Sequence, residues 1–174
     1  ALNASPFDSA KPERRMSTAV ARTVETGLPL IYVNMVGGQD ELVYDGASFA
    51  LNADGSLASH LPSFSETVAL VQLSQTARQI SLSGQVTPPD EGIKALYRGV
   101  MLGLRDYVQK NGFPGVALGL SGGIDSALTA VIAARALGAD RVTGIAMPGK
   151  YSSQHSIDDA KDLADRLGCA FAIV

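Results

Sequence analysis

Cysteine occurs once in the 174 residues, as Cys169, and tryptophan does not occur at all. One thiol cannot build an internal disulfide framework, which points to a reducing compartment, the cytoplasm. An excess of positive charge is also missing. The net charge is −3, so there is no basic field to hold nucleic acid. No apolar run approaches the roughly 18 residues of a membrane span. The N-terminal stretch carries Asp8, Lys11, Glu13, Arg14 and Arg15 where a signal peptide would have its apolar core. Neither nucleic acid nor a membrane is therefore an expected partner. What is present is a globular composition. Hydrophobic residues make up 46%, within the usual range of about 45–50% and too many for a disordered tail. Glycine is the unusual count at 18, which suggests tight turns or backbone brought close to a ligand. The opening at Ala1 and the closing apolar run 171–174 suggest a piece of a longer protein.

Residues 12–26 predict a helix. Pro12 stands near its start and Gly27 just past its end. Met16, Val20 and Val24 recur every four residues as one narrow apolar stripe. Leu30, Ile31, Tyr32 and Val33 predict a buried strand, and 36–40 a turn-rich loop. A second strand is expected over 47–51, then a hairpin turn at Asn52-Ala53-Asp54-Gly55. A third strand reaching Ala58 and a fourth over 68–73 follow, so the region reads as antiparallel. Over 74–91 Ser, Gln, Thr and Gly dominate and Pro88-Pro89 stands near the close. That predicts a linker between one domain at 1–73 and another at 92–174.

In the second part the period turns helical. Ile93, Leu96, Tyr97, Val100, Met101, Leu104, Tyr107 and Val108 form one stripe, expected to be a buried face, and Asn111-Gly112 ends it. The apolar run 115–120 predicts a strand covered on both faces. A small-residue helix over 125–137, a strand over 142–147, a helix over 153–167 and a strand from Ala170 complete a β-α-β-α-β order. That order implies a parallel sheet with helices on its faces.

Between the first of these strands and its helix lies Gly119, Leu120, Ser121, Gly122, Gly123, Ile124, Asp125 and Ser126. In an open α/β sheet the strand-to-helix corner is where ligands bind. Amides of a glycine turn, backed by a helix N-terminus, make an anion cradle. Ser121 and Ser126 add hydroxyls. A Walker loop is excluded, because no lysine follows these glycines and Gly149-Lys150 precedes Tyr151 rather than Ser or Thr. The G-x-G-x-x-G fingerprint is excluded by spacing. A carboxylate inside an anion loop repels phosphate unless a cation lies between them, so Asp125 implies Mg²⁺.

The loop resembles the pyrophosphate loop of ATP-pyrophosphatases, which adenylate a substrate and release pyrophosphate. Met147-Pro148-Gly149-Lys150-Tyr151-Ser152-Ser153-Gln154-His155-Ser156-Ile157-Asp158-Asp159-Ala160 is similar to a signature of NAD synthetases within that group. Asn3-Ala4-Ser5-Pro6-Phe7-Asp8-Ser9-Ala10-Lys11, with Arg15 beyond, resembles a segment of the nitrilase-like glutaminase domain of glutamine-dependent NAD synthetases. The run 37–46, Gly-Gly-Gln-Asp-Glu-Leu-Val-Tyr-Asp-Gly, resembles another. Ala10 stands where that family carries glycine.

The resemblance implies an α/β protein. It would hold the C-terminal part of a nitrilase-like α-β-β-α sandwich, then the start of a parallel-sheet, adenine nucleotide α-hydrolase-like domain. By the same resemblance Ser5 and Lys11 contact glutamine, residues 119–126 hold ATP, and Asp125 binds Mg²⁺. The glutaminase Glu-Lys-Cys triad would precede Ala1, so no catalytic residue is assigned within the chain. Cys169 lies in the wrong half to replace its nucleophile. The implied reaction amidates deamido-NAD to NAD with ammonia from glutamine, in a cytoplasmic homo-oligomer. Two other readings stay open on the residues alone: another adenylating amidotransferase of the same loop class, and a non-catalytic nucleotide-binding module.

Overall fold

The computed structural model describes residues 1–77, 79–150 and 153–174. Its chain divides into two compact units, Ala1–Gly99 and Val100–Val174. In the first unit, β1 (Leu2–Asn3) lies parallel to β2 (Leu30–Asn34). Antiparallel β5 (Phe49–Leu51) and β6 (Leu57–His60) complete the sheet in the order β1-β2-β5-β6. Helix α1 (Lys11–Thr26) has Pro12 in its first turn and ends on left-handed Gly27, whose N–H donates to the Thr23 carbonyl at 3.0 Å. Ala19 of α1 is buried against Tyr32, Phe49 and Leu51, with Met16, Val20 and Leu30 around them. Val24 of the expected stripe is 57% exposed. Nor is β2 buried throughout. Only Tyr32 and Asn34 are buried, the period-two pattern of a strand with one face in the core.

Two further hairpins depart from the sequence reading. Residues 36–40 form β3 (Val36–Gln39) rather than a loop, and β3 pairs with β4 (Leu42–Asp45). The predicted linker is also largely structured. β7 (Val71–Gln75) pairs with β8 (Ile80–Gly84), and Leu82 is buried against Ala50 and Ala58. Beyond β8, the His60 N–H donates to the Gln85 carbonyl at 2.9 Å and the Thr87 N–H to the His60 carbonyl at 2.8 Å. The physical reason is alternation. Ile80 and Leu82 place apolar side chains on one face of a strand whose other positions are polar, and a polar average over the stretch conceals that pattern.

Helix α2 (Gly92–Lys110) begins in the first unit and ends in the second. Its large-residue stripe is not the buried face: Ile93, Val100 and Tyr107 are more than half exposed. Of the stripe only Val108 is buried, and Ala95, Gly99 and Leu102, outside it, are buried as well. An amphipathic period locates a helix's apolar face but does not say what covers it. The second unit is a parallel sheet of β9 (Val116–Gly119), β10 (Val142–Ala146) and β11 (Ala170–Ile173), in the order β11-β10-β9. Helices α3 (Ile124–Leu137) and α4 (Gln154–Leu167) share one core on one face of it, through Ala130, Ala160 and Ala164 with Leu118, Leu120 and Phe171. β9 is an edge strand and only half-buried, not covered on both faces as its apolar run suggests.

Candidate functional site

Each unit carries one of the two residue sets singled out in the sequence. In the second unit, β9 runs into the loop 120–123 and then α3. Leu120 turns into the core at 5% exposure, and its N–H donates to the Ile145 carbonyl at 2.8 Å. It anchors the loop to the sheet. The two hydroxyls tie the loop to itself. Ser126 Oγ donates to the Gly123 carbonyl at 2.9 Å and accepts the Ser121 N–H at 3.3 Å. The Ser121 and Ser126 oxygens lie 3.1 Å apart, and Ser121 Oγ accepts the Gly123 N–H at 3.3 Å. This knot holds the turn in shape, and the first-turn amides of α3 are left without intrahelical acceptors. Backed by a helix dipole, amides of this kind are able to hold an anion.

Gly122 has φ +76°, and a Cβ there would lie 2.6 Å from the backbone oxygen of Ser156. The loop therefore rests against the first turn of α4, which belongs to the 147–160 motif. That turn is capped by Ser153, whose Oγ accepts the Ser156 N–H at 3.2 Å. Tyr151 and Ser152 of the motif lie outside the described residues.

Asp125 is exposed in the first turn of α3. Among the described residues no three His, Cys, Asp or Glu side chains gather where they could hold a metal ion by themselves. An exposed carboxylate beside such a loop fits Mg²⁺, which takes one or two carboxylates and completes its shell with substrate phosphate and water.

In the first unit the two family-like segments, 3–15 and 37–46, come together. Pro6 bridges Tyr44, and the Phe7 N–H donates to the Val43 carbonyl at 2.6 Å. Arg15 pairs with Asp45 at 2.8 Å, with their side chains only 7% and 2% exposed. Ser5 and Lys11 open onto one groove of about 730 Å³ that also carries Asp8, Arg14 and Arg22. Behind the groove lies Asn34, 6% exposed and bonded both to the backbone of Ser5 and to Asp45. Sequence reasoning missed Asn34. The available signal is a polar residue at an inward-facing position of the β2 alternation.

His60 is also buried, and its Nδ1 lies 2.9 Å from the Thr87 carbonyl. Burial pushes its pKa down, against the opposing pull of that carbonyl and of Asp45. Cys169 is half-buried in the second unit, and burial pushes its thiol up, away from the thiolate a nucleophile needs.

Comparison with known proteins gives the class first. Residues 5–81 match the carbon-nitrogen hydrolase family and residues 96–174 the NAD synthase family. The chain thus joins, in that order, part of a carbon-nitrogen hydrolase domain to part of an NAD synthase domain. The chain belongs to the glutamine-dependent NAD(+) synthetases. It is 53% identical over 167 residues to the one from Rhodobacter capsulatus, covering 95% of this chain and 30% of that protein. It is 44% identical over 172 residues to the one from Acinetobacter baylyi, covering 99% and 32%. The solved structure of the Acinetobacter baumannii glutamine-dependent NAD+ synthetase in complex with adenosine diphosphate superposes with a TM-score of 0.91 at 42% identity, covering 99% of this chain and 33% of that one. The chain spans about a third of the length of these relatives. The expected family and mixed α/β fold class are both met. Among the described residues no helix is long and apolar enough to cross a membrane.

Proposed function

We propose that the protein containing this chain amidates deamido-NAD to NAD, using ammonia released from glutamine. ATP first adenylates the nicotinate carboxylate and pyrophosphate leaves, so a poor leaving group becomes a good one. Ammonia then displaces AMP. The observation that carries this reading is the order of the two family matches in one chain, with the glycine loop at the β9–α3 corner of the second.

In this reading the loop 119–126 holds the phosphates of ATP. Gly122 lets the backbone turn in close, and the first-turn amides of α3 stabilise negative charge as it builds on the leaving pyrophosphate. Mg²⁺, when bound, offsets charge between carboxylate and phosphate, and Asp125 is the residue that would hold it. The adenosine diphosphate bound by the Acinetobacter baumannii relative supports an adenine nucleotide as ligand. In the first unit, the Ser5 hydroxyl and the Lys11 cation hold the polar ends of glutamine. The nucleophile for glutamine hydrolysis is a thiol outside these residues, since Cys169 lies in the second unit with its thiol pushed up. The family resemblance adds a cytoplasmic, homo-oligomeric enzyme acting on small molecules.

Asp125→Ala in the full-length enzyme tests the assignment. It should abolish AMP formation from ATP and deamido-NAD with ammonia supplied, while glutamine is still hydrolysed to glutamate. Normal AMP formation by that variant would sink the reading.

A further inference from the structure

The strand ladder of the first unit stops just short of Ser5. β1 runs beside β2 as far as Asn3, which lies opposite Asn34, and the Met35 N–H donates to the Asn3 carbonyl at 2.9 Å. Beyond Ser5, Pro6 has no N–H to offer, and the chain crosses to β4 through Pro6 and Phe7. At Ser5, between the two pairings, the partner is a side chain. Asn34 Oδ1 accepts the Ser5 N–H at 2.9 Å, and Asn34 Nδ2 donates to the Ser5 carbonyl at 3.3 Å. A side-chain amide has the same donor and acceptor as a peptide group, so Asn34 supplies one extra rung to the ladder.

The amide can face only one way. Its nitrogen also donates to Asp45 Oδ1 at 3.1 Å, and a carboxylate only accepts. The Asn34 oxygen is thereby left for the Ser5 N–H. Asp45 is itself held by the Arg15 fork, Nη2 to Oδ1 at 2.8 Å and Nη1 to Oδ2 at 3.2 Å. A line of polar contacts thus runs from α1 through Asp45 and Asn34 to the wall of the groove that Ser5 and Lys11 share. A two-residue strand has little pairing of its own to hold the residue that follows it.

We propose that Asn34 is a positioning residue for the glutamine groove: its amide, oriented by Asp45 and Arg15, holds the Ser5 backbone so that the Ser5 hydroxyl is aimed at glutamine. The inference rests on the reading of Ser5 as a glutamine contact and adds how that contact is set.

The test compares Asn34→Ala, Asn34→Asp and Ser5→Ala in the full-length enzyme. The readouts are glutamine-supported against ammonia-supported NAD formation, and hydrogen exchange at the Ser5 amide. Asn34→Ala should raise KM for glutamine about tenfold or more, the effect of one lost positioning bond, with a smaller change in kcat. It should lower the ratio of glutamine-supported to ammonia-supported turnover and speed exchange at Ser5. Asn34→Asp keeps the acceptor for the Ser5 N–H but sets a second carboxylate against Asp45, so it should not rescue. A role in stability alone lowers both supported rates together and leaves their ratio unchanged. That result overturns the proposal, as does an Asn34→Ala enzyme with wild-type KM. If Ser5→Ala leaves KM for glutamine unchanged, the glutamine contact itself is wrong and the positioning role falls with it. A strong effect of Ser5→Ala beside a silent Asn34→Ala overturns the positioning role alone.

Discussion

At Gly122 two demands coincide: a left-handed backbone, and a neighbour where a side chain would go. Gly27 meets only the first, since φ is +64° and nothing lies within 4 Å of the place a Cβ would take. Gly27→Ala should therefore cost about 1–2 kcal/mol, the strain of the backbone alone. Gly122→Ala should cost clearly more, because the methyl would meet the Ser156 backbone. Denaturation midpoints of the two variants check this, and equal losses would count against it. His60 gives a pH dependence. Its folded pKa lies below the ordinary value of 6.5. Below that value the unfolded chain takes up a proton that the folded chain refuses. The contribution is therefore complete above about pH 6.5 and is lost as pH falls through the folded pKa. His60→Gln should show a smaller fall in Tm than the parent between about pH 7.5 and about pH 5.5. An unchanged fall would mean that His60 does not titrate across unfolding.

Among the elements, the β7–β8 hairpin separates a structured segment from a tether. Leu82 is 5% exposed, whereas Leu73 on the same hairpin is 60% exposed. Leu82→Ala should cost about 2–5 kcal/mol, and Leu73→Ala should stay within about 0.5 kcal/mol, both read by chemical denaturation. A silent Leu82→Ala would return the segment to the status of a linker. Helix α2 makes the complementary point. Its period-3.6 pattern correctly predicts a helix, yet the small residues Ala95 and Gly99 are among the buried ones. Gly99 is one of them because a Cβ there would already stand 3.4 Å from the Phe64 ring. Close packing on this side selects small residues, and hydropathy averages do not register that.

For the molecule as a whole, the second unit was legible in its element order, and the first in helix α1 and strands β2, β5 and β6 but not in its two further hairpins. A β-α-β order with glycines at a strand-to-helix corner fixes both topology and ligand side, because right-handed crossovers leave few alternatives. Short antiparallel strands follow no comparable rule, so 36–40 reads as a loop and 74–91 as a linker until pairing partners are known. The residues of the groove divide the same way. Ser5, Lys11 and Asp45 are visible as parts of recognisable runs, whereas Asn34, behind the groove, acquires meaning only when Ser5 and Asp45 are brought to it from elsewhere in the chain. The thiol at Cys169 is visible from sequence, but its half-burial is not.

The contact at Gly122 also limits which pairs of changes can rescue one another. The atoms it faces are the Ser156 carbonyl oxygen, Cα and carbonyl carbon, which every amino acid carries. No replacement at position 156 can make room for a side chain at 122, so the glycine has no compensating partner there. Gly119 is different: a Cβ there would meet the tip of Met147 at 3.2 Å, and a shorter residue at 147 removes that obstacle. Two glycines of one loop thus differ in evolutionary freedom, one open to paired substitution and the other closed to it.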